Sequence, residues 1–288
     1  MDCIKYEPQK HFELVCNWLD DGYHDSQLES GYFLRTRWEY LHAFTIFPFG
    51  TFNTVLLWFI KNELVAIALS ERNDDDLYLI CNKKTNINYN NMISDLLKQI
   101  KSNHILFIDK NNNLLNEAVL NAGFKKSGKK EVERQIIGNP LTHELKSDPS
   151  YILKCFENEY INQVAQLLCD AFSNTQNKRI IEKNLKHMIK VPFLCEDSHF
   201  LLFESDNQNI PISYCGYWLN REKKYAMIEP LVTHPSFQKK QLSTRIVCES
   251  MLKLSNQGIK YFHVTSNHEF YKKVGFNVIG ERVNYVLN

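Results

Sequence analysis

The chain contains an internal repeat with a long period, and this feature restricts its fold more than any other. In the second half, an apolar run at 261–265 is followed by a short helical segment that ends in the Gly-Phe pair 275–276. In the first half, an apolar run at 104–108 precedes a helical segment that ends in the Gly-Phe pair 123–124. Both patterns are typical of a strand and a helix that a left-handed glycine terminates. The two glycines lie 152 residues apart, close to half of the 288-residue chain.

The repeat extends upstream of these segments. The apolar run 77–81 is typical of a buried strand and precedes the basic turn 82–84 and a helix with one apolar face. In the second half, the strand-like run 225–233 precedes the basic turn 238–240 and a helix of the same kind. Strand, basic turn, helix, strand, helix and Gly-Phe pair thus occur twice in the same order. This order favours two similar domains in tandem.

Each half also begins with a short strand, followed by two helical stretches and two further strand candidates. This order predicts an α/β (α+β) fold with two tandem domains, each a mixed, mainly antiparallel sheet flanked by helices. The polar stretch 138–149 contains two prolines and is the best candidate for a boundary. We therefore predict domains at 1–147 and 148–288, both of ordinary domain size.

Composition restricts the class of function. Lys and Arg total 34 against 33 Asp and Glu, which does not favour a nucleic-acid or membrane-surface partner. The start lacks the pattern of a secretion signal, and the apolar run 55–60 is far shorter than the ~20 residues of a membrane span. The eight cysteines form no CxxC pair, and the ten histidines show no metal-ligand spacing. These features predict a cytoplasmic protein with reduced thiols and no metal.

The segment 228–244 reads IEPLVTHPSFQKKQLST, and the segment 265–276 reads TSNHEFYKKVGF. Together they resemble the acyl-CoA site of the GNAT superfamily of N-acetyltransferases. In that family a strand ends in an apolar-His/Asp-Pro turn, and a loop patterned Gln/Arg-x-x-Gly-x-Gly/Ala then opens a helix. The second segment is similar to the family's strand, Asn, Tyr and Gly-Phe ending. The resemblance covers 199–288 well, 150–198 loosely, and the first half only through the repeat.

The resemblance implies that backbone N–H groups of the loop bind the diphosphate of acetyl-CoA. Successive N–H groups at a helix N-terminus form a concave positive site that suits such an anion. Gln241 and Ser243 occupy the two glycine positions of the family pattern. An ordinary basic turn before a helix is the alternative. The cofactor-binding residues implied for this loop are Gln238, Lys239, Lys240, Gln241, Leu242, Ser243 and Thr244.

Pro230 interrupts a strand-like run, and prolines in sheets occur mainly at edges and bulges. GNAT domains have a bulge at this point, where two parallel strands separate and pantetheine enters between them. The resemblance therefore implies that Val232 and Thr233 supply main-chain hydrogen bonds to pantetheine. One of their N–H groups would polarise the thioester carbonyl.

Three further side chains are candidates for chemistry through the same resemblance. Tyr271 would protonate the departing CoA thiolate, or it is a half-buried core aromatic. Glu229 would accept the proton of the amine, or it is a solvent-facing strand carboxylate. Asn267 would hydrogen-bond pantetheine, or it caps the next helix. The first-half position that matches Tyr271 is Val119, which cannot donate a proton.

These residues predict an N-acetyltransferase that moves an acetyl group from acetyl-CoA directly to an amine of a small molecule or peptide. We expect the first half to be catalytically silent and to shape the acceptor cleft or cover surface of the second half. The acceptor pocket is expected near 172–195. The alternative is an inactive GNAT-fold module that binds CoA or a protein partner, which Gln241 and Ser243 favour. Transfer of a longer acyl chain is a third possibility.

Overall fold

The computed structural model describes residues 1–23, 33–45, 55–70, 76–82, 85–100, 104–138, 148–172 and 177–287. Most of the predicted boundary 138–149 and the basic turn 82–84 lie outside the described residues. The strands are β1 (Asp2–Lys5), β2 (Leu56–Ile60), β3 (Glu63–Ser70), β4 (Asp76–Cys81), β5 (Ile105–Asp109), β6 (Phe124–Ile137), β7 (Tyr151–Cys155), β8 (His199–Glu204), β9 (Ser213–Asn220), β10 (Tyr225–Thr233), β11 (Tyr261–Thr265) and β12 (Asn277–Leu287). The α-helices are α1 (Pro8–Tyr23), α2 (Arg35–Tyr40), α3 (Tyr89–Leu97), α4 (Asn113–Asn121), α5 (Ile161–Ala171), α6 (Lys178–Met188), α7 (Leu242–Asn256) and α8 (Glu269–Val274).

The strands form one sheet of 12 strands in the order β1-β2-β3-β4-β5-β12-β6-β11-β10-β9-β8-β7. The pairs β4–β5 and β10–β11 are parallel, and the other pairs described in this sheet are antiparallel. The predicted fold class is therefore confirmed. Each half repeats the same series of strands and helices, with its parallel pair at the same place in the series.

The Gly-Phe endings behave as the repeat predicts. Gly123 and Gly275 both lie in the left-handed region, with φ of 95° and 110°. The phenylalanines that follow them are 2% and 1% exposed, so both pack into the core. Each glycine thus lets the chain reverse after a short helix and enter the last strand of its half.

The last strands of the two halves are exchanged. β12, from the second half, lies between β5 and β6 of the first half, and Val283 lies opposite Ile108. β6, from the first half, pairs with β11 of the second half, where Ile136 lies opposite Phe262. One continuous hydrogen-bond ladder therefore joins both halves through β6 and β12. Whether 1–147 and 148–288 are separate folding units stays a prediction.

The apolar residues of both sheet faces are covered by helices. In the second half, α7 and α8 pack on one face in the core that contains Met251, while α5 and α6 pack on the other face around Trp218. In the first half, α3 and α4 cover one face, and α1 and α2 cover the other. Leu34 and Ala43, which flank α2, belong to the core of α5 and α6, so this region lies against both halves.

Polar contacts fix α1 and α2 on the second half. Asn220 at the end of β9 donates a hydrogen bond of 2.7 Å to Asp20 of α1. Arg35 bridges Asp20 and Glu39, at 2.9 and 2.7 Å. Because these groups are largely buried, they constrain the position of α2, which carries Arg37 towards the middle of the sheet.

No helix in the described ranges is long and apolar enough to span a bilayer.

Candidate active site

The parallel strands β10 and β11 separate at their carboxyl ends. They pair from Tyr225 opposite Tyr261 to Met227 opposite His263, and β11 then continues to pair only with β6. Against β9, the register of β10 shifts between Ile228 and Leu231. The bulge predicted at Pro230 is thereby confirmed. We call the opening between β10 and β11 beyond Met227 the strand gap.

A glycine of β9 makes room for this bulge. The Glu229 carbonyl accepts a hydrogen bond of 3.0 Å from the Trp218 indole. A Cβ at Gly216 would lie 2.7 Å from that carbonyl oxygen and 2.7 Å from Nδ1 of His199. Both distances are shorter than a Cβ contact allows, so residue 216 must lack a side chain for the bulge to rest in place.

Gly216→Ala is therefore expected to lower the free energy of unfolding by about 1–3 kcal/mol, because backbone and a buried ring must both shift. Urea unfolding of the two proteins measures the difference. Gly258→Ala is the matched control, because an added Cβ there meets nothing within 4 Å although φ is 98°. Its cost is expected to be backbone strain alone, about 1 kcal/mol. Equal stability of Gly216→Ala and the native protein contradicts the steric argument.

The direction of the main chain decides which residues of β10 face the strand gap. The His234 N–H donates a hydrogen bond of 2.9 Å to the Ile212 carbonyl, and Val232 lies opposite Tyr214 in the same register. Because hydrogen-bonding direction alternates along a strand, the main chain of Val232 faces β9, and that of Leu231 and Thr233 faces the gap. The main-chain groups of Val232, for which the resemblance implied a contact with pantetheine, thus point away from the gap, and those of Leu231 and Thr233 point into it.

The loop 238–244, which we call the amide loop, presents a row of backbone N–H groups. Lys239 and Gln241 lie in the left-handed region, with φ of 63° and 61°. Gln241 is the N-cap of α7, and its side chain makes no capping hydrogen bond. Within the described ranges, no acceptor contacts the N–H groups of residues 239–244. Alternating left-handed residues at a helix N-terminus form a concave anion site, so these residues fit a diphosphate.

Gln241 and Ser243, which occupy the glycine positions of the family pattern, affect the amide loop in different ways. Gln241 adopts the positive φ that glycine favours, and the resulting backbone strain costs about 1 kcal/mol of stability. Ser243 Oγ is hydrogen-bonded to Thr233 Oγ1 at 2.9 Å, and Thr233 Oγ1 lies 2.8 Å from Ser213 Oγ. This chain of hydroxyls directs the Ser243 side chain onto β10 and attaches the amide loop to the strand.

The other residues of the amide loop are placed as anchors or as exposed groups. Leu242 is 3% exposed and fixes the start of α7 in the core. Lys239 and Lys240 are exposed, and Lys240 Nζ lies 4.8 Å from the centre of the Phe237 ring. Gln238 Nε2 donates to the Thr233 carbonyl at 3.4 Å, and Thr244 is half-buried in the first turn of α7. The lysines thus leave their charge available to an anion.

Tyr271 lies in α8 and is 9% exposed, packed edge-on against Phe270 and Phe276. Burial raises the pKa of its phenol, and the charge of Glu229 raises it further. The phenol is therefore protonated at neutral pH. No hydrogen bond from the part of the chain that the structure describes engages its hydroxyl. A buried, protonated phenol near the charge of Glu229 suits a proton donor as well as a core aromatic.

Asn267 does not cap α8. The N-cap is His268, whose Nδ1 accepts from the Phe270 N–H at 3.2 Å. The Asn267 amide instead donates a hydrogen bond of 2.6 Å to the Lys130 carbonyl of β6. The capping alternative is therefore wrong, because Asn267 is turned towards the strand contributed by the first half.

Glu229 is half-buried and lines a cavity of about 200 Å³ between the two halves, which we call the central cavity. The first-half residues of its wall carry no recognisable signal in the sequence, because only the tertiary structure brings them to β10. Leu194 and Cys195, from the segment expected to form the acceptor pocket, line another cavity of about 600 Å³ that shares no lining residue with the central cavity. Residues 173–176 of that segment lie outside the described residues. The lining of the central cavity comprises Arg37, Tyr40, Leu41, Asp76, Tyr78, Phe107, Glu131, Met227, Ile228, Glu229 and Thr265.

A buried network of charges supports the floor of the central cavity. Arg37 donates to Thr265 Oγ1 at 3.1 Å, and Thr265 donates to Glu133 at 2.6 Å. Arg282 donates to Glu131 at 2.8 Å. Burial raises the pKa of Glu133 to about 7, whereas Arg37 and Arg282 outweigh burial at Glu131 and lower its pKa. Glu131 is thus ionised at neutral pH.

The described residues contain no group of three or more His, Cys, Asp or Glu side chains arranged to hold a metal ion. Val119, which matches Tyr271 in the repeat, is fully buried in the first-half core. The first half therefore has no phenol at the position that corresponds to Tyr271.

Residues 196–278 match the model of the acetyltransferase (GNAT) domain family. A GNAT-family acetyltransferase from Colwellia psychrerythraea has a TM-score of 0.63 at 11% identity, with 100% of each chain covered. A tandem GNAT protein from the clavulanic acid biosynthesis pathway has a TM-score of 0.60 at 10% identity, covering 80% of this chain and 81% of its own.

Saccharomyces cerevisiae N-myristoyltransferase has a TM-score of 0.59 at 12% identity, covering 100% of this chain and 80% of its own. None of the curated protein sequences matches the chain. At such identities the structural likeness shows the fold, and it extends over both halves. Residues 196–278 thus match the GNAT acetyltransferase domain family, and both halves of the chain have a GNAT-like fold.

Proposed function

We propose that the chain is an acyl-CoA-dependent N-acyltransferase that moves an acetyl group from acetyl-CoA to the amine of a small molecule or peptide. The observation that carries this proposal is the pairing of the strand gap with the amide loop at the end of β10. Main-chain groups of β10 that face the strand gap can form hydrogen bonds with pantetheine. A row of N–H groups at a helix N-terminus can bind a diphosphate. Lys239 and Lys240 add charge beside it.

The two faces of the sheet separate donor from acceptor. Tyr271 lies in the core on the face of α7 and α8, whereas Met227 of the central cavity belongs to the core on the opposite face. The strand gap lies between them. Acetyl-CoA would enter from the face of α7 and place its thioester in the gap, and the amine would approach from the central cavity.

The reaction is then a direct transfer. Glu229 accepts a proton from the ammonium, and the free amine attacks the thioester carbonyl to form a C–N bond. The Leu231 or Thr233 N–H stabilises the negative charge that builds on the carbonyl oxygen. The intermediate collapses, the C–S bond breaks and Tyr271 protonates the CoA thiolate, and the second proton of the attacking nitrogen then passes to the Tyr271 phenolate to leave the neutral amide. No acyl group is attached to the enzyme at any stage.

Calorimetric titration of the full chain with acetyl-CoA, combined with thiol release across a panel of amines, tests this function. We expect binding well below 1 mM, and a rise in melting temperature that follows ligand concentration. Myristoyl-CoA in the same assay tests the longer acyl chain. Stabilisation by acetyl-CoA without thiol release from any amine favours a module that binds CoA, and absence of association contradicts both the enzyme and a CoA-binding module.

Charge reversal at the amide loop makes the binding test specific. Lys239→Glu with Lys240→Glu is expected to weaken acetyl-CoA about tenfold or more at low salt, because the anion loses two favourable charges and meets two repulsive ones. Lys125→Glu with Lys126→Glu on β6 changes net charge equally and is the control. Equal weakening in both variants indicates a long-range effect of net charge and contradicts diphosphate binding at the loop.

A further inference from the structure

A single indole holds the peptide group at the bulge of β10. Nε1 of Trp218, on β9, donates a hydrogen bond of 3.0 Å to the Glu229 carbonyl. The register of β10 with β9 shifts between Ile228 and Leu231, so residues 229 and 230 fall within the shift. Regular strand pairing therefore fixes the main chain on both sides of the bulge, and the indole fixes the peptide group between them.

Three other rings pack against the Trp218 indole, which is 1% exposed. The ring of His199 lies edge-on with its centre 5.7 Å away, and a hydrogen bond of 2.6 Å between its Nδ1 and the Tyr214 hydroxyl fixes its orientation. The centre of the Tyr40 ring lies at 5.7 Å, and that of Phe193 at 6.4 Å. Close packing of this kind restricts the indole to one orientation, so its N–H keeps its direction.

Two of these contacts connect Trp218 with the first half. Tyr40 belongs to α2. Phe193 stacks on Phe12 of α1, with the two ring centres 5.4 Å apart. Largely buried polar contacts hold both helices in place, and one of them joins α1 to the end of β9. The first half thus reaches the Glu229 peptide group through aromatic contacts that end at Trp218.

The position of this peptide group affects the chemistry, because Glu229 carries the carboxylate that accepts the ammonium proton in the proposed function. A base must lie within hydrogen-bonding reach of that proton, and a displacement of about 1 Å can lower a rate about 100-fold. We propose that Trp218 is a positioning residue of the acyl transfer, and that the first half sets the position of Glu229 through it. This inference rests on the proposed function for the role of the carboxylate, whereas the fixed peptide group is a property of the fold.

Trp218→Phe removes the N–H donor and retains an aromatic ring. At neutral pH, kcat for thiol release is expected to fall about tenfold or more. The acetyl-CoA dissociation constant is expected to stay within about threefold, because residues 231–233 keep their pairing with β9. The loss of kcat is expected to shrink to about threefold or less at about pH 9.5, since an alkyl amine then loses its proton without a base. Glu229→Gln is expected to show the same pH dependence with a larger loss.

Trp58→Phe is the matched control. Trp58 is fully buried in the first-half core, where its indole donates to Asp95 at 3.4 Å. Its replacement is expected to lower the melting temperature without an effect on kcat or on the pH dependence. Hydrogen exchange measured by mass spectrometry adds a readout that needs no activity. The segment 228–233 is expected to exchange about tenfold faster in Trp218→Phe and at the native rate in Trp58→Phe.

Phe12→Leu tests the contribution of the first half. Phe12 is not among the described residues that line the central cavity, so the variant leaves that wall intact. Loss of the stacked ring is expected to lower kcat about threefold. In the Trp218→Phe background it is expected to cause no further fall, because both variants act through the same contact.

A native kcat in Trp218→Phe overturns the inference, as does a loss of kcat that stays the same at high pH. Additive losses in the double variant overturn the part assigned to the first half. Absence of thiol release from the native chain with every amine contradicts the proposed function. The exchange data then decide separately whether Trp218 fixes the bulge, and native exchange at 228–233 in Trp218→Phe shows that it does not.

Discussion

Tyr271→Phe is expected to lower kcat for thiol release by about 10²–10³-fold while acetyl-CoA affinity changes little. The phenol is buried and its pKa is raised, so it carries its proton at neutral pH. In the reaction that we propose, it donates this proton to the thiolate as the C–S bond breaks. Phe retains the ring and its edge-on contacts with Phe270 and Phe276. Initial rates at saturating acetyl-CoA measure kcat, and calorimetry measures binding.

Tyr285→Phe is the matched control for this variant. Tyr285 is a fully buried tyrosine in the first-half core, where its hydroxyl donates to Asn116 at 2.6 Å. Its removal is expected to cost about 1 kcal/mol of stability without an effect on kcat. A kcat for Tyr271→Phe within threefold of the native value shows that the phenol is a core aromatic alone.

Neither 1–147 nor 148–288 is expected to fold when it is produced alone, whereas the two produced together are expected to form a stable complex. The isolated first half lacks β12, which lies between β5 and β6. The isolated second half lacks β6, so that β11 becomes an edge and β12 loses both neighbours. Unpaired ladders and exposed core residues favour aggregation. Circular dichroism melts and gel filtration of each half and of the pair measure the outcome.

A protease site inserted in 139–147 tests the same exchange in the full chain. After cleavage the halves are expected to stay together and to melt as one unit, because β6 and β12 still pair along most of their length. An isolated 148–288 that melts cooperatively and binds acetyl-CoA contradicts this expectation. It would show that the predicted boundary separates independent domains.

The local elements of the fold follow from the sequence because their signals are local. Period and turn residues indicated the helices and ten of the twelve strands, and the Gly-Phe pairs at 123–124 and 275–276 indicated where two helices end. Pro230 indicated the bulge of β10. Side-chain types in the segments 228–244 and 265–276 indicated which residues surround the strand gap. Each of these features depends on neighbours within a few residues along the chain.

The strands β6 and β12 were not predicted. The first part of β6 is rich in lysine and contains Gly128, which weakens any strand pattern. Their exchange between halves depends on which partner each strand meets, and a repeated sequence offers equivalent partners in both halves. Only the assembled sheet distinguishes them.

The remaining differences have the same origin. Whether the main chain of Leu231 or that of Val232 faces the gap depends on the register of β10 with β9. A shift of one residue reverses the direction in which every main-chain group of the strand points. The wall of the central cavity joins Arg37 and Asp76 to Glu229, residues far apart in the chain. The sequence by itself determined a duplicated α/β chain with a candidate acyl-CoA site in its second half. Tertiary structure decided how the halves share strands and which first-half groups face that site, because contacts between distant residues leave no periodic signal.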